Sequence, residues 1–299
     1  MKVNIQYETR DTPWGGANQF LKFLKNKLIE DGIYCEDPNV SDFVIFNSHH
    51  ALERMWPIRK KNSNCKIIHR VDGPIYKIRN CSKQQDVDLL RLSNQLANII
   101  VFQSEWSKKH LFDICKNEKI LLPENQYTII NSCDYSFFKN REVTSKNKFL
   151  ISTWSNNTRK GFGVYSEIDN LLYNEKYSDV EITFIGRSPI VFKNIKMVAP
   201  VKTKQLASTM SSFDGYITAS KHDPCSNALC EAVQSGLKIL ALNDGGHPEV
   251  CNKYNCSHIL FDNFSEEVFD DFIKLKTKDH NNYDSYKEYL KIFKNELAG

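Results

Sequence analysis

Residues Gly215 to Glu249 read GYITASKHDPCSNALCEAVQSGLKILALNDGGHPE, and this stretch decides the predicted fold. Its apolar start stops at a polar loop, as a buried strand does where it reaches the edge of a sheet. A helix should follow, because Ser226 is a good N-cap and apolar residues recur at helical spacing up to Gly236. The next apolar run, Lys238 to Leu242, is typical of a second strand. This order predicts a right-handed crossover between parallel strands.

The first turn of the predicted helix offers a binding site for an anion. Backbone N–H groups at a helix start lack internal partners, and together with the helix dipole they attract a phosphate. Here the groups belong to Asn227, Ala228 and Leu229, directly after Ser226. Glu231 comes about five residues after the cap, which places its carboxylate about 7 Å further along the helix. A nucleoside diphosphate fits that spacing, with the carboxylate accepting hydrogen bonds from the ribose hydroxyls.

Asp223 lies in the loop before this helix, where it can face a sugar attached to the same diphosphate. Taken singly, each acid is better explained as a solvated surface residue, but the combination favours a site. Asp223, seven intervening residues, Glu231 and then Gly245-Gly246-His247-Pro248-Glu249 resemble the signature of the retaining family 4 glycosyltransferases. That signature usually begins with glutamate, and the shorter Asp223 departs from it.

The resemblance implies an α/β protein of the GT-B class, in which two Rossmann-like domains face each other across a cleft. It implies transfer of a sugar from a nucleoside diphosphate sugar to a hydroxyl of a glycan or lipid-linked acceptor, with retention of configuration. In such an enzyme Glu231 would bind the ribose, the helix start from Ser226 would bind the diphosphate, and Asp223 would act at the transferred sugar. Protein cations would stabilise the departing diphosphate, so neither a metal nor another cofactor is expected.

Length and composition agree with a two-domain enzyme. The chain has 299 residues and a net charge of +4, and no apolar run approaches the roughly twenty residues of a membrane span. We therefore expect a cytoplasmic monomer or dimer without a nucleic-acid partner, and this expectation leaves room for a transient contact with a membrane.

Nine cysteines, mostly inside apolar runs, indicate reduced and partly buried thiols. Two pairs, Cys225/Cys230 and Cys251/Cys256, share a gap of four intervening residues. Zinc pairs more often have two intervening residues, and one of these pairs straddles a predicted helix start. Spacing alone therefore predicts no metal site.

The first domain, residues 1–145, is expected to lie on the acceptor side. Its first strand leads to Pro13-Trp14-Gly15-Gly16, a glycine turn before a helix. A glycine turn lets a phosphate or sugar approach the backbone, although Gly-Gly is also a common loop. In the family this turn lies opposite the donor, which makes Gly15 and Gly16 candidates for donor binding.

A second polar segment of this domain follows the strand predicted for residues 65–68. Ligands of open α/β sheets bind at the carboxyl ends of the strands. We therefore expect His69 to contact the donor sugar as a catalytic residue, Arg70 to meet a phosphate or an acidic acceptor, and Asp72 to hold either side chain. A capped loop with a satisfied histidine explains the segment equally well.

The second domain, residues 146–280, opens with a strand that leads to Arg159-Lys160-Gly161. A cationic pair at a helix start suits a diphosphate, because fixed positive charge stabilises the nucleotide as it leaves. Lys160-Gly161 resembles the Lys-Gly of the family, which implies a catalytic Lys160. Ser155 stands where the family usually has arginine, and Arg159 is the candidate to compensate. A solvated Arg-Lys pair is the simpler explanation of the segment by itself.

Two further segments have expected roles through the same resemblance. The loop of Gly186 and Arg187 borders the nucleobase in the family, so Arg187 would stack on the base or bond to it, unless it is an ordinary exposed arginine. Residues 281–299 predict a helix with one apolar stripe. In the family such a helix crosses back to the first domain, and a dimer surface is the alternative.

Three other functions are alternatives to glycosyl transfer. A catalytically degenerate module that binds a nucleotide sugar or a glycan would explain both Asp223 and Ser155. A dinucleotide oxidoreductase would need G-x-G-x-x-G after the first strand, which the sequence lacks. A nucleic-acid binder would need a concentrated basic face, and the sequence has none.

Overall fold

The computed structural model describes residues 1–9, 16–134, 138 and 146–298, which form two compact units. The first unit contains residues 1–9, 16–131 and 284–298. The second contains residues 132–134, 138 and 146–283. The domain boundary predicted at residue 145 lies outside the described residues.

Strands and helices alternate along the chain. Through the first unit they are β1 Val3–Gln6, α1 Gly16–Glu30, β2 Phe43–Asn47, α2 Leu52–Lys61, β3 Lys66–Val71, α3 Ile75–Arg79, α4 Gln84–Leu96, β4 Ile99–Phe102, α5 Glu105–Glu118 and β5 Asn125–Thr128. The chain continues with β6 Lys148–Thr153, α6 Phe162–Leu171, β7 Glu181–Gly186, β8 Lys196–Val198, α7 Thr203–Met210, β9 Gly215–Thr218, α8 Asn227–Gln234, β10 Lys238–Leu242, α9 His247–Tyr254, β11 His258–Phe261, α10 Glu266–Lys274 and α11 Ser285–Ala298.

The sheet of the first unit is parallel, with the order β1-β2-β3-β4-β5. Tyr34 also makes a parallel bridge to Val3, whose N–H and C=O bond to the segment around Tyr34. Successive residues of a strand direct their backbone N–H and C=O groups to opposite neighbours. The groups of Val3 bond to the segment around Tyr34, so this bridge lies on the side of β1 away from β2. The chain therefore reverses its direction across the sheet between β1 and β2.

Helices cover both faces of this sheet because its strands are apolar on both faces. In β2, Val44 and Phe46 pack in a cluster with α2, whereas Phe43 and Ile45 pack in a cluster with α1 and α11. Successive strand residues point to opposite faces, so the continuous apolar run supplies both clusters.

The C-terminal helix α11 buries its apolar stripe in the core of the first unit. The ring of Phe293 lies 4.9 Å from that of Phe43, and the ring of Tyr289 lies 6.1 Å from that of Phe20. Lys66 at the start of β3 also forms an ion pair of 2.8 Å with Glu296. The helix is therefore an integral part of this unit.

The sheet of the second unit is also parallel, with the order β11-β10-β9-β6-β7-β8. The chain runs outward from β6 through β8, returns to the other side of β6 at β9, and then runs outward again. The strand, helix and strand predicted from residues 215–249 are present as β9, α8 and β10, and the two strands are parallel neighbours. Ligands of open α/β sheets bind where the chain reverses, which here is the carboxyl ends of β6 and β9.

In the described part of the chain, no helix is long and apolar enough to span a lipid bilayer.

Candidate functional site

Lys160 and Asp223 meet at the reversal point of the second sheet. Lys160 lies in the loop after β6, and Asp223 lies in the loop after β9. The Nζ of Lys160 is 3.2 Å from Oδ2 of Asp223, and both side chains keep some exposure to solvent. Two residues that are distant in the sequence therefore form one charged pair where a ligand is expected.

The loop after β6 packs against the end of β9 through Gly161. This glycine has a φ of +86°, and a Cβ at this position would overlap the backbone of Ala219. The N–H of Lys221 also donates to the carbonyl of Arg159 at 2.7 Å. The glycine after Lys160 is thus required by the close approach of the two loops.

The first glycine of the 245–249 motif has a similar task. Gly245 has a φ of +65°, and a Cβ there would overlap the carbonyl of Asp223. The N–H of Gly246 donates to that carbonyl at 2.8 Å. His222 and Asp244 connect the same two loops, because the backbone N–H of His222 donates to Oδ2 of Asp244 at 2.7 Å and Nδ1 of His222 lies 3.0 Å from the same oxygen. The glycine motif therefore holds the backbone that carries Asp223.

The pKa of Asp223 reflects two opposing effects. Burial of the carboxylate raises the pKa, but the charge of Lys160 and the hydrogen bonds from Lys160 and the Cys225 backbone outweigh this effect. The pKa consequently lies below the ordinary value, and Asp223 is ionised at neutral pH.

The start of α8 only partly matches the predicted anion site. Ser226 is the N-cap, as predicted, and its Oγ accepts the N–H of Leu229 at 3.4 Å. The Leu229 amide is therefore engaged by the cap in this structure, and its contact with a phosphate stays a prediction. Asn227 and Ala228 are half-buried, so the first turn keeps a surface that a ligand can reach.

Glu231 is not the solvated surface acid that its sequence position alone would suggest. Only 6% of its surface is exposed, and its carboxylate makes no hydrogen bond to any residue in the described ranges. Burial raises its pKa to about 8. A carboxyl group with so little exposure is costly to ionise, and a ligand with hydroxyl donors would stabilise the carboxylate.

His247 is a buried member of the glycine motif whose role the sequence did not indicate. Its Nδ1 lies 3.0 Å from the carbonyl of Leu242, so Nδ1 carries the proton and Nε2 is left as an acceptor. Nε2 is buried and has no hydrogen-bond partner within the described part of the chain. Burial lowers the pKa of His247, which keeps the ring neutral beside the charged pair.

The other predicted donor contacts are less defined. Arg159 is half-buried, and its guanidinium makes no ion pair to the residues that the structure describes. Arg187 is exposed and is anchored by its backbone N–H to Thr153, and Gly186 packs its backbone on the same residue. Ser155 accepts the N–H of Asn157 at 3.1 Å, so it serves the turn of this loop.

In the first unit, the prediction for Arg70 is wrong in this conformation. Arg70 is 1% exposed, and its guanidinium bonds to Asn47, Asp72 and Asn131 at 2.5, 2.7 and 2.8 Å. The side chain of Gln103 also donates to Asp72. The buried guanidinium makes these three hydrogen bonds to protein oxygens, so it does not reach a phosphate or an acceptor. Asp72 holds Arg70, as predicted.

The catalytic role predicted for His69 fails for a similar reason. The ring has no exposed surface, stacks 4.0 Å from Phe46 and has both nitrogens engaged, with Ser93 at 2.5 Å and the Ser48 carbonyl at 3.1 Å. Burial lowers its pKa to about 3, so the ring is neutral. The alternative of a satisfied histidine is the correct one.

Both errors have one structural cause. The third strand was predicted to end at residue 68, but β3 continues to Val71 and carries His69 and Arg70 into the sheet. Two other histidines at this edge do reach solvent, because His49 is exposed and His50 is half-buried. Both follow the end of β2, beside the place where the chain reverses its direction across the first sheet. Gly16 begins α1, while Gly15 lies outside the described residues. The roles predicted for both glycines stay predictions.

Replacing the buried guanidinium should destabilise the first unit. Arg70→Met keeps much of the volume but leaves the oxygens of Asn47, Asp72 and Asn131 without their donor, and we expect a loss of about 2 kcal/mol in unfolding free energy. Urea denaturation followed by circular dichroism measures this loss. Arg54→Met, at an exposed arginine, should change stability by less than about 0.5 kcal/mol. Equal stabilities of the two variants would contradict the structural role of Arg70.

Comparison with known proteins identifies the fold. No protein-family model and no curated protein sequence matches the chain. Among solved structures, HepE of Anabaena in complex with UDP-glucose matches 92% of this chain and 89% of its own, with a TM-score of 0.64 and 13% identity. AviGT4, a glycosyltransferase involved in avilamycin A biosynthesis, matches 100% of this chain and 98% of its own, with a TM-score of 0.67 and 11% identity. These neighbours are GT-B proteins.

The chain has the GT-B fold. The GT-B class predicted from the sequence is therefore confirmed. In the second unit of this GT-B chain, Lys160 and Asp223 lie at the reversal point together with the start of α8, and Glu231 lies one turn into that helix.

Proposed function

We propose that this protein is a retaining glycosyltransferase of family 4. It transfers a sugar from a nucleoside diphosphate sugar to a hydroxyl group of a glycan or lipid-linked acceptor, without a metal ion in the transfer step. The observation that carries the proposal is the Lys160–Asp223 pair at the reversal point of a GT-B chain, beside the start of α8. The UDP-glucose bound to HepE supports a UDP-sugar as the first donor to test.

In the proposed complex, the donor diphosphate lies between Lys160 and the first turn of α8. The diphosphate replaces the carboxylate of Asp223 as the partner of Lys160. Positive charge fixed at this position stabilises the negative charge that develops on the departing nucleotide. Asp223 is then positioned to accept a hydrogen bond from the transferred sugar, and Arg159 adds a second cation beside the diphosphate.

Glu231 binds the ribose in this proposal. Its buried carboxylate lacks donors in the described structure, and a ribose offers two neighbouring hydroxyl groups. Arg187, exposed beside Gly186, is the proposed contact for the nucleobase, and Gly15 and Gly16 are proposed as further donor-binding residues. In this proposal Asp223 accepts a hydrogen bond from the sugar and does not attack it, so transfer proceeds on the front face, assisted by the leaving diphosphate.

Donor binding should depend on pH because Glu231 binds a diol best when ionised. With a pKa of about 8, roughly nine-tenths of the protein carries a protonated Glu231 at pH 7. We expect the affinity for UDP-glucose to rise about tenfold between pH 7 and pH 9, with release of about 0.9 proton per donor at pH 7. Isothermal titration calorimetry in buffers of different ionisation enthalpy measures both quantities.

Glu231→Gln is the matched control for this pH dependence. It keeps the volume and removes the titration, so its weaker binding should be independent of pH in this range. Retention of the proton release in the variant would assign it to another group and would contradict the proposed role of Glu231.

A turnover assay tests the reaction itself. Release of UDP from UDP-sugars is followed over a panel of glycan and lipid-linked acceptors, with Glu231→Ala beside the wild type. Acceptor-dependent release that falls in the variant supports the transferase. Equal rates would contradict it, and donor binding without turnover on any acceptor would favour a degenerate binding module.

A further inference from the structure

Three metal-ligating side chains of the second unit meet at a place that the proposed transfer reaction does not use. They are Cys251 in the last turn of α9, Cys256 after that helix, and His258 at the start of β11. One ligand atom from each lies within 4.8 Å of the other two. Within the described residues this is the only group of three or more such side chains with that proximity.

The local backbone brings these side chains together. Helix α9 is capped by Asn255, whose φ of +51° turns the chain, and the N–H of Cys256 then donates to the carbonyl of Cys251 at 3.2 Å. This reversal places Cys256 back over the helix end. Cys256 and His258 are two residues apart in the extended segment entering β11, so their side chains point to the same side. The geometry of this cluster therefore depends on the cap of α9 and on the segment that enters β11.

We propose that Cys251, Cys256 and His258 form a zinc site with a water molecule as the fourth ligand. With Zn–S bonds of about 2.3 Å and Zn–N bonds of about 2.0 Å, tetrahedral ligand atoms lie about 3.6 Å apart. The observed distance from Cys256 Sγ to His258 Nδ1 is 3.9 Å. Small rotations of the side chains therefore suffice to close the site.

Charge and ligand chemistry favour zinc over other common ions. Two thiolates balance the charge of Zn²⁺, which matters because Cys251 and Cys256 are 0% and 3% exposed and no carboxylate joins the described cluster. Thiolate and imidazole ligands select zinc over magnesium or calcium. The half-buried ring of His258 leaves one side through which the ion and its water can enter.

Two features oppose binding. His258 Nδ1 lies 2.9 Å from the Cys256 carbonyl, and coordination through Nδ1 would replace this hydrogen bond. Lys278 is a neighbouring cation, but its Nζ donates to Asn255 at 3.0 Å. One neutral hydrogen bond contributes much less net free energy than a zinc–thiolate site, so the balance favours the metal.

The site would fasten the end of α9 to β11. Helix α9 begins at His247, next to the glycines that hold the Asp223 loop. Zinc would thereby stabilise the helix whose other end supports the candidate site. The inference does not depend on the proposed transferase activity, because its ligands and readouts are separate.

Cobalt titration of the full chain, purified under reducing conditions and freed of metal, tests the proposal. We expect about one equivalent of Co²⁺ to bind, with the thiolate charge-transfer and visible bands of a tetrahedral site, and Zn²⁺ to displace it. Cys256→Ala should abolish the bands. His258→Ala should weaken Zn²⁺ binding at least about 100-fold, because even outer-shell partners of zinc sites cost roughly 10- to 100-fold.

Cys225→Ala is the matched control, because Cys225 and Cys230 have the same sequence spacing but no third ligand in the described structure. It should bind Co²⁺ like the wild type. Zn²⁺ should also raise the melting temperature of the wild type and not that of Cys256→Ala. Absence of tetrahedral bands, or their loss in Cys225→Ala, would overturn the proposal. A Cys251–Cys256 disulfide whose reduction restores no metal uptake would also overturn it and assign a redox pair instead.

Discussion

Lys160→Ala is expected to lower the rate of acceptor-dependent UDP release about 100- to 1000-fold. Removing one group that stabilises developing negative charge in a transition state typically costs that much in kcat. Lys160 is the cation paired with Asp223 at the reversal point of the second sheet, and in the proposed mechanism it stabilises the departing diphosphate. Steady-state kinetics with a saturating UDP-sugar measures the loss.

Lys176→Ala is the control for that measurement. Lys176 is also paired, with Glu266 at 2.9 Å and Asp270 at 2.6 Å, but it precedes β7 and thus lies at the amino end of the sheet. Its rate should remain within about twofold of the wild type. A loss of less than about threefold in Lys160→Ala, with normal donor binding, would remove Lys160 from the proposed mechanism.

The second large effect concerns stability and pH. Glu231 has a pKa of about 8 in the folded protein against 4.5 for an ordinary glutamate, so the folded state holds its proton where the unfolded state has lost it. The unfolding free energy should therefore fall as pH rises from about 5 to 8, by roughly 3 to 4 kcal/mol from this group alone. Below the unfolded pKa the contribution to stability is complete.

Glu231→Gln isolates this contribution because glutamine cannot ionise. Urea denaturation of the wild type and the variant at pH 5, 6, 7 and 8 gives the difference in unfolding free energy at each pH. The variant should gain on the wild type steadily as pH rises. A difference that is constant over this range would show that the carboxylate is compensated in the folded state.

The sequence predicted the repeating architecture well because its strands are marked by long apolar runs. Residues 215–249 predicted the strand, helix and strand in the correct places, and Ser226 caps the helix as expected, with its Oγ accepting the N–H of Leu229 at 3.4 Å. Periodicity and capping act over a few residues, so a linear pattern contains them.

The sequence predicted less about which polar side chains are buried. His69 and Arg70 looked like loop residues because a polar pair usually ends a strand, but β3 continues through both. Partners that are distant in the sequence, such as Asn131 for Arg70, make this possible. Pairing over such distances has no local pattern from which it could be predicted. Cys251 and His258 are close in the sequence, but their proximity depends on the turn at Asn255, which the spacing of the cysteines did not indicate.

The hydrogen bonds of the buried Arg70 have a consequence for protein engineering. Its partners Asn47, Asp72 and Asn131, with Gln103 on Asp72, lie at or after the ends of four neighbouring strands. A chimera that imports one of these loops from another GT-B protein would bring a segment without its counterpart, and the resident arginine would lose an oxygen ligand. The loops at this edge should therefore be exchanged together as one set. The recombination points of such a chimera should lie in the helices that cover the sheet.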